Sequence, residues 1–202
     1  SFELRSAATG DVVKGANDAQ GSASFPALTF TEPGDYAYTL AEIDAGAPGV
    51  TYDTTVHHVL AHVADKGDGT LSVTWSLASD GQPLDTKSVT FSNAYQAKAA
   101  SLTFNASKKL DGRDIVEGEF SFELRDGNGN VLQTVQNGAA ANGVAPIAFA
   151  PIAYDAPGEF DYQIVEVKGD AEGVTYDETA FTYHVVVSDN GKGNLEVSWT
   201  VG

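Results

Sequence analysis

Apolar and polar residues alternate with a period of two along most of the chain. Leu71, Val73, Trp75 and Leu77 alternate with polar or small residues. So do Tyr36, Tyr38 and Leu40, and likewise Leu102, Phe104, Ala106 and Leu110. This alternation predicts strands with one face on a core. Turn-forming clusters separate the runs: EPGD at Glu32–Asp35, DKGDG at Asp65–Gly69, DGNGN at Asp126–Asn130 and DNGKG at Asp189–Gly193. No long stretch keeps a helical period. Short strands spaced about 8–12 residues apart predict an all-β chain of antiparallel β-sandwich architecture.

The pattern occurs twice. SFELR stands at Ser1–Arg5 and at Ser121–Arg125, 120 residues apart. PGDYAYTLAEI (Pro33–Ile43) matches PGEFDYQIVEV (Pro157–Val167), GVTYD at Gly49 recurs at Gly173, and LSVTW at Leu71 matches LEVSW at Leu195; these pairs are 124 residues apart. The second copy therefore carries four extra residues, placed by the repeats between Asp126 and Phe149. Two tandem modules are expected, at residues 1–96 and 101–202, with Gln96–Ala100 as a small, polar linker. The copies are cut out of phase. The first runs through TFSNAY (Thr90–Tyr95) but has no strand before SFEL; the second has one at Ser101–Leu110 but no counterpart of TFSNAY. Each module is thus expected to lack one terminal strand within this segment.

Four polar residues sit on the apolar parity, where burial without a partner is costly. Glu42 continues the face of Tyr36, Tyr38 and Leu40, and Glu166 that of Phe160, Tyr162 and Ile164. Asn93 stands between Phe91 and Tyr95, and Lys108 between Ala106 and Leu110. An amine, an acid and a carboxamide facing one core can react. Burial disfavours the charged forms of amine and acid alike. A neutral amine is a nucleophile, and the acid can polarise the carboxamide and shuttle protons. Attack on the amide carbon releases ammonia and joins two side chains. No cofactor is needed, because well-aligned intramolecular groups reach effective molarities of about 10⁵–10⁸ M.

KKLDGRDIVEGEFSFEL (Lys108–Leu124), YTLAE and YQIVE, the two TYD turns and FSNAY (Phe91–Tyr95) together resemble the streptococcal-type pilin isopeptide-linkage repeat of Gram-positive pilins and surface stalk proteins. The resemblance implies an immunoglobulin-like, CnaB-like sandwich. It also implies a first-strand Lys joined to a last-strand Asn, assisted by a Glu on a central strand. By motif and by parity the Lys falls on Lys108, the Asn on Asn93, and the Glu on Glu42 and Glu166. Lys108 follows Asn93 by only 15 positions, nearly the whole length of the crossover that parallel neighbours need. No Lys108–Asn93 bond within one chain is therefore expected; each partner is expected just upstream of Ser1 or just downstream of Gly202. The implied role is mechanical: a self-cross-linking structural stalk without turnover, at the wall-attached surface of a Gram-positive bacterium, with neighbouring repeats or pilin subunits as partners. The alternative is an adhesin module that offers its loops, Asn128–Ala145 first, to a host protein or glycan.

Composition narrows the remaining classes. Of 202 residues 42% are hydrophobic and 19% charged, which suits a packed core. Eleven Lys and Arg against 28 Asp and Glu give a net charge of −17, opposing nucleic acid or an anionic membrane as partner. No apolar run is long enough for a membrane-spanning helix, and no leader pattern occurs within these residues. With no cysteine, disulfides and thiol catalysis are excluded; the lack of methionine also suits an oxidising exterior. No metal is expected at His57, His58 and His62. On a strand His58 and His62 stand about 13 Å apart, too far to share an ion. His57 aligns with Phe181 and is expected in or near the core. Asp126, Asn128 and Asn130 imitate the start of a calcium loop, but Asn137 stands where its Glu should be, so a hairpin turn is expected. Glu42 and Glu166 are equivalents in different modules and cannot flank one substrate as glycosidase carboxylates do.

Overall fold

A computed structural model describes residues 1–79, 82–84 and 88–202. All regular structure among them is β-strand. The chain divides into two compact units, Ser1–Tyr95 and Gln96–Gly202.

The first unit holds β1 (Phe2–Ser6), β2 (Val12–Asn17), β3 (Ala23–Ser24), β4 (Gly34–Glu42), β5 (Val50–Thr51), β6 (Val56–Asp65), β7 (Leu71–Ser79), β8 (Gln82–Leu84) and β9 (Ala94–Tyr95). Seven of these form one sheet in the order β3-β2-β1-β4-β6-β7-β8. The small ladder β5-β9 ties the GVTYD segment to the end of the unit, with Val50 opposite Tyr95 and Thr51 opposite Ala94.

The second unit holds β10 (Ala100–Leu102), β11 (Asn105–Lys109), β12 (Ser121–Asp126), β13 (Val131–Gln136), β14 (Val144–Ala148), β15 (Ile152–Tyr154), β16 (Gly158–Glu166), β17 (Phe181–Asp189) and β18 (Leu195–Val201). Its main sheet runs β13-β12-β16-β17-β18, and the ladders β10-β15 and β11-β14 lie apart from it. Registers repeat between units: Phe2 lies opposite Gly15 and Glu42, as Phe122 lies opposite Val135 and Glu166. The sequence repeat is therefore a structural repeat.

The two cores differ in completeness. In the second unit Leu102 and Phe104, from the segment before SFEL, pack with Leu124, Tyr162, Ile164 and Val185 in one buried cluster. The ring of Phe104 lies 5.0 Å from Tyr162 and 5.2 Å from Tyr183. The repeat places Val59 of the first unit where Tyr183 stands, and there the core is open. A groove of about 650 Å³ is lined by Leu4, Leu40, Val59, Leu77 and Phe91 among others. The expected alternation holds along β11, where Lys108 shares the inward face of Ala106. Along β7 it holds less well: Leu77 is buried, while Val73 and Trp75 stay largely exposed.

The imitation calcium loop is a turn. Asp126 Oδ1 accepts the backbone N–H groups of Asn128 and Asn130, each at 2.9 Å. Asn137, at the loop's acidic position, is 2% exposed and serves the fold. Its Oδ1 accepts Phe120 N–H at 2.7 Å, and its Nδ2 donates to Val116 O at 2.9 Å and Gly138 O at 3.0 Å. It thereby pins the loop that delivers Phe120, whose ring lies under the Lys108 ammonium at 4.8 Å. Removing this amide leaves buried backbone groups unpaired, at about 1–3 kcal/mol each. Asn137→Ala is expected to destabilise the second unit by about 2–3 kcal/mol, while Asn17→Ala, at the exposed equivalent position, changes little; thermal denaturation of both variants checks the contrast.

Candidate functional site

Each unit brings two of the four singled-out side chains together around its glutamate. In the second unit, β16 ends at Glu166 and β11 delivers Lys108 from the facing ladder. Lys108 Nζ lies 2.7 Å from Glu166 Oε2, with side-chain exposures of 12% and 4%. The same Oε2 accepts Asp177 N–H at 3.0 Å. Glu166 Oε1 is buried with no hydrogen-bond partner among the described residues.

In the first unit, β4 ends at Glu42, and the amide comes from the segment leading into β9. Asn93 Nδ2 donates to Glu42 Oε1 at 2.9 Å. Asn93 Oδ1 accepts Asp53 N–H at 2.9 Å. Glu42 Oε2 is the buried oxygen left without a partner among the described residues. One carboxyl thus holds an amine in one unit and an amide in the other, and each keeps a spare oxygen. Lys108 and Asn93 belong to different units.

The empty places correspond. In the first unit Phe91, two residues before Asn93, packs 5.2 Å from both Phe2 and His57. Phe122 and Phe181 are the repeat equivalents of those two rings. In the second unit they line an open groove of about 240 Å³, together with Lys108, Glu166, Asp177 and Thr179. Strand β11 pairs only with β14, so one edge of it carries no strand among the described residues.

Two further neighbours of the site were not among the four residues that parity singled out, although alignment with Phe181 expected His57 in or near the core. His57 is 7% exposed, and neither ring nitrogen has a hydrogen-bond partner among the described residues. Asp53 closes the GVTYD turn that begins at Gly49. That glycine has φ of 77°, as its equivalent Gly173 has 76°, a left-handed conformation that favours glycine. Asp53 Oδ1 accepts Thr55 N–H at 2.8 Å, and Oδ2 accepts Ser92 N–H at 2.9 Å. Hydrogen bonds from Thr55 and Ser92, with a smaller contribution from His57, hold the Asp53 carboxyl down at about 2. The recurrence of GVTYD was the available signal. Of the other histidines, His62 Nδ1 lies 2.6 Å from Asp35 Oδ1. No group of three metal-ligating side chains occurs among the described residues.

Fold and site define tandem all-β sandwiches with an acid–amine pair in one unit and an acid–amide pair in the other. The chain belongs to the FctA family, the Spy0128-like isopeptide containing domain, whose model matches residues 1–96 and 104–202. Among solved structures it is similar to the major pilin protein (T-13) from Streptococcus pyogenes, at 15% identity and a TM-score of 0.34; the match covers 100% of this chain and 82% of that one. A mutant of the major pilin from the same organism matches at 16% identity and a TM-score of 0.38, with the same coverage. No curated protein matches the chain.

Removing one partner of a buried ion pair leaves an uncompensated charge, a loss of about 3–5 kcal/mol. Lys108→Ala is expected to destabilise the second unit by that order, and Lys108→Met with Glu166→Leu to recover most of it; chemical denaturation measures both. The Asp53 carboxyl is depressed, so its contribution is present above the ordinary value of 3.8 and is lost as pH falls through about 2. The Ser92 and Thr55 amide resonances are expected to shift together in that window in an NMR titration.

Proposed function

We propose that each unit closes on itself through an isopeptide bond between a first-strand lysine and a last-strand asparagine, with Glu42 or Glu166 carrying the protons. The chain would then be a shaft or stalk segment of a Gram-positive surface pilus, made to bear load. One observation carries this reading: equivalent glutamates hold the amide of Asn93 in one unit and the amine of Lys108 in the other. Each glutamate also keeps one buried oxygen for the absent partner. Family membership and the order of the motifs support it.

The chemistry follows from the contacts. A proton crosses from Lys108 Nζ to Glu166 Oε2, which turns an ion pair into a neutral amine and a neutral acid. The amine attacks the side-chain carbon of an incoming asparagine, and a new carbon–nitrogen bond forms. The old bond to Nδ2 breaks as the acid delivers a proton to that nitrogen. Ammonia leaves, the carboxyl takes the second proton of the amine, and atoms and charge balance. In the first unit Asn93 is the amide, and the amine arrives on a strand placed like β11. Flanking segments of a longer chain are the proposed sources of both missing strands. The bond would close a loop nearly as long as the repeat. By analogy with disulfide loop entropy this adds on the order of 4–5 kcal/mol. It also gives tension a covalent path between the terminal strands.

Intact mass of the chain extended by its natural flanking sequence tests the proposal. The expected result is a deficit of one ammonia per unit. The deficit of the first unit disappears in Glu42→Ala or Asn93→Ala, and that of the second in Glu166→Ala or Lys108→Ala. The full theoretical mass in the unaltered chain rejects the reading.

A further inference from the structure

We infer that the backbone N–H of Asp53 is a catalytic group: it is the donor that holds the oxyanion when an amine adds to the Asn93 side chain. The GVTYD turn is the device that aims it, and Asp177 does the same for the second unit. This rests on the cross-linking reading above and extends it to groups that the Lys–Glu–Asn chemistry leaves unused.

Three observations converge on the turn. First, Asp53 N–H already lies 2.9 Å from Asn93 Oδ1, the atom that becomes negative as the carbon turns tetrahedral. Donors about 2.7–3.1 Å from where the oxyanion will sit stabilise it most, and a donor already aimed at this oxygen needs little reorganisation as charge builds on it. Second, the turn is fastened to the segment carrying the amide. Asp53 Oδ2 accepts the N–H of Ser92, next to Asn93 in sequence, and β5 pairs with β9 just beyond it. Donor and acceptor are therefore held on one frame. Third, the equivalent N–H in the second unit behaves as a donor awaiting an amide. Asp177 N–H points to Glu166 Oε2 at 3.0 Å, while Thr179 N–H still caps Asp177 Oδ1 at 2.9 Å as Thr55 does for Asp53. The Thr cap of the turn is preserved, while the recipient of its N–H differs.

During the reaction the amine nitrogen bonds to Asn93 Cγ, and the carbonyl π electrons move to Oδ1. Oδ1 accepts the Asp53 N–H throughout. The intermediate collapses when Glu42, carrying the proton it took from the incoming ammonium, protonates Nδ2; the Cγ–Nδ2 bond breaks, ammonia leaves, and the Glu42 carboxylate takes the proton shed by the new amide nitrogen. Asp53 gains and loses no proton, so its role is electrostatic. The Asp53 carboxylate is a positioning group, since it touches Ser92 and Thr55 rather than the amide.

Replacing the Asp53 peptide N–H by an ester oxygen, with the α-hydroxy acid at that position, deletes the donor and keeps every side chain; the weaker Tyr52 carbonyl that comes with it is controlled by a second ester in the same turn. In the chain extended by its flanking sequence, ammonia loss from the first unit is expected to slow by about 10²–10³-fold. The second unit serves as an internal clock and keeps its rate. The same replacement at Thr55 removes a hydrogen bond of the same turn without touching Asn93, and is expected to change the rate only a few-fold. Equal slowing by both esters, or an unchanged rate with the Asp53 ester, overturns the assignment and leaves the cross-linking reading standing. Absence of ammonia loss in the unaltered chain overturns both. A second measurement does not depend on how the ester variants fold. The Asp53 amide proton is expected to exchange with solvent markedly more slowly in the chain of residues 1–202 than in its Asn93→Ala variant; equal exchange overturns the assignment.

Discussion

A carboxyl group buried at the end of a central strand is the constraint around which each unit is arranged. It offers several lone pairs in a place that water barely reaches, and every one left unmade is costly. The β1–β4 and β12–β16 registers put Glu42 opposite Phe2 and Glu166 opposite Phe122, so an apolar ring shields each acid. Donors must then come from elsewhere in the same unit. The amide of Asn93, the ammonium of Lys108 and the N–H of Asp177 are those donors. Among the described residues one buried oxygen of each glutamate has no hydrogen-bond partner.

Stability alone would not select this arrangement. Replacing a buried ion pair by apolar residues of similar volume is often neutral or favourable. The second unit also has apolar material in plenty nearby, with Phe120 at 1% exposure and Phe122 at 5%. On the proposed cross-linking, the lysine and glutamate held there at 2.7 Å are reactants. The satisfied amide of Asn137 shows the contrast: all its buried bonds are made, and it is a strut.

Much of this was legible in the sequence. Period-two alternation and paired turn clusters specify an all-β chain, and the repeated segments specify two modules. Parity singled out Glu42, Glu166, Asn93 and Lys108 because ionisable groups on an apolar face need a reason. What remained hidden is backbone chemistry. The N–H of Asp53 has no side-chain signature, so GVTYD read as a repeat landmark and nothing more. His57 was placed in the core by its alignment with Phe181, yet that its ring has no hydrogen-bond partner among the described residues is visible only in three dimensions. Alternation also misjudged β7. Val73 and Trp75 share the parity of buried Leu77, but they remain largely exposed, with Trp75 and Leu77 on the walls of the open groove.

The differing target of the turn's N–H also bears on timing. Asp177 N–H donates to the same Glu166 oxygen that faces Lys108 Nζ, so that oxygen is shared between the turn and the amine. On the proposed assignment, an arriving amide draws that N–H to its own oxygen. Glu166 Oε2 would then keep the Lys108 contact alone, and the turn would pass its N–H from the acid to the amide only when the last strand docks.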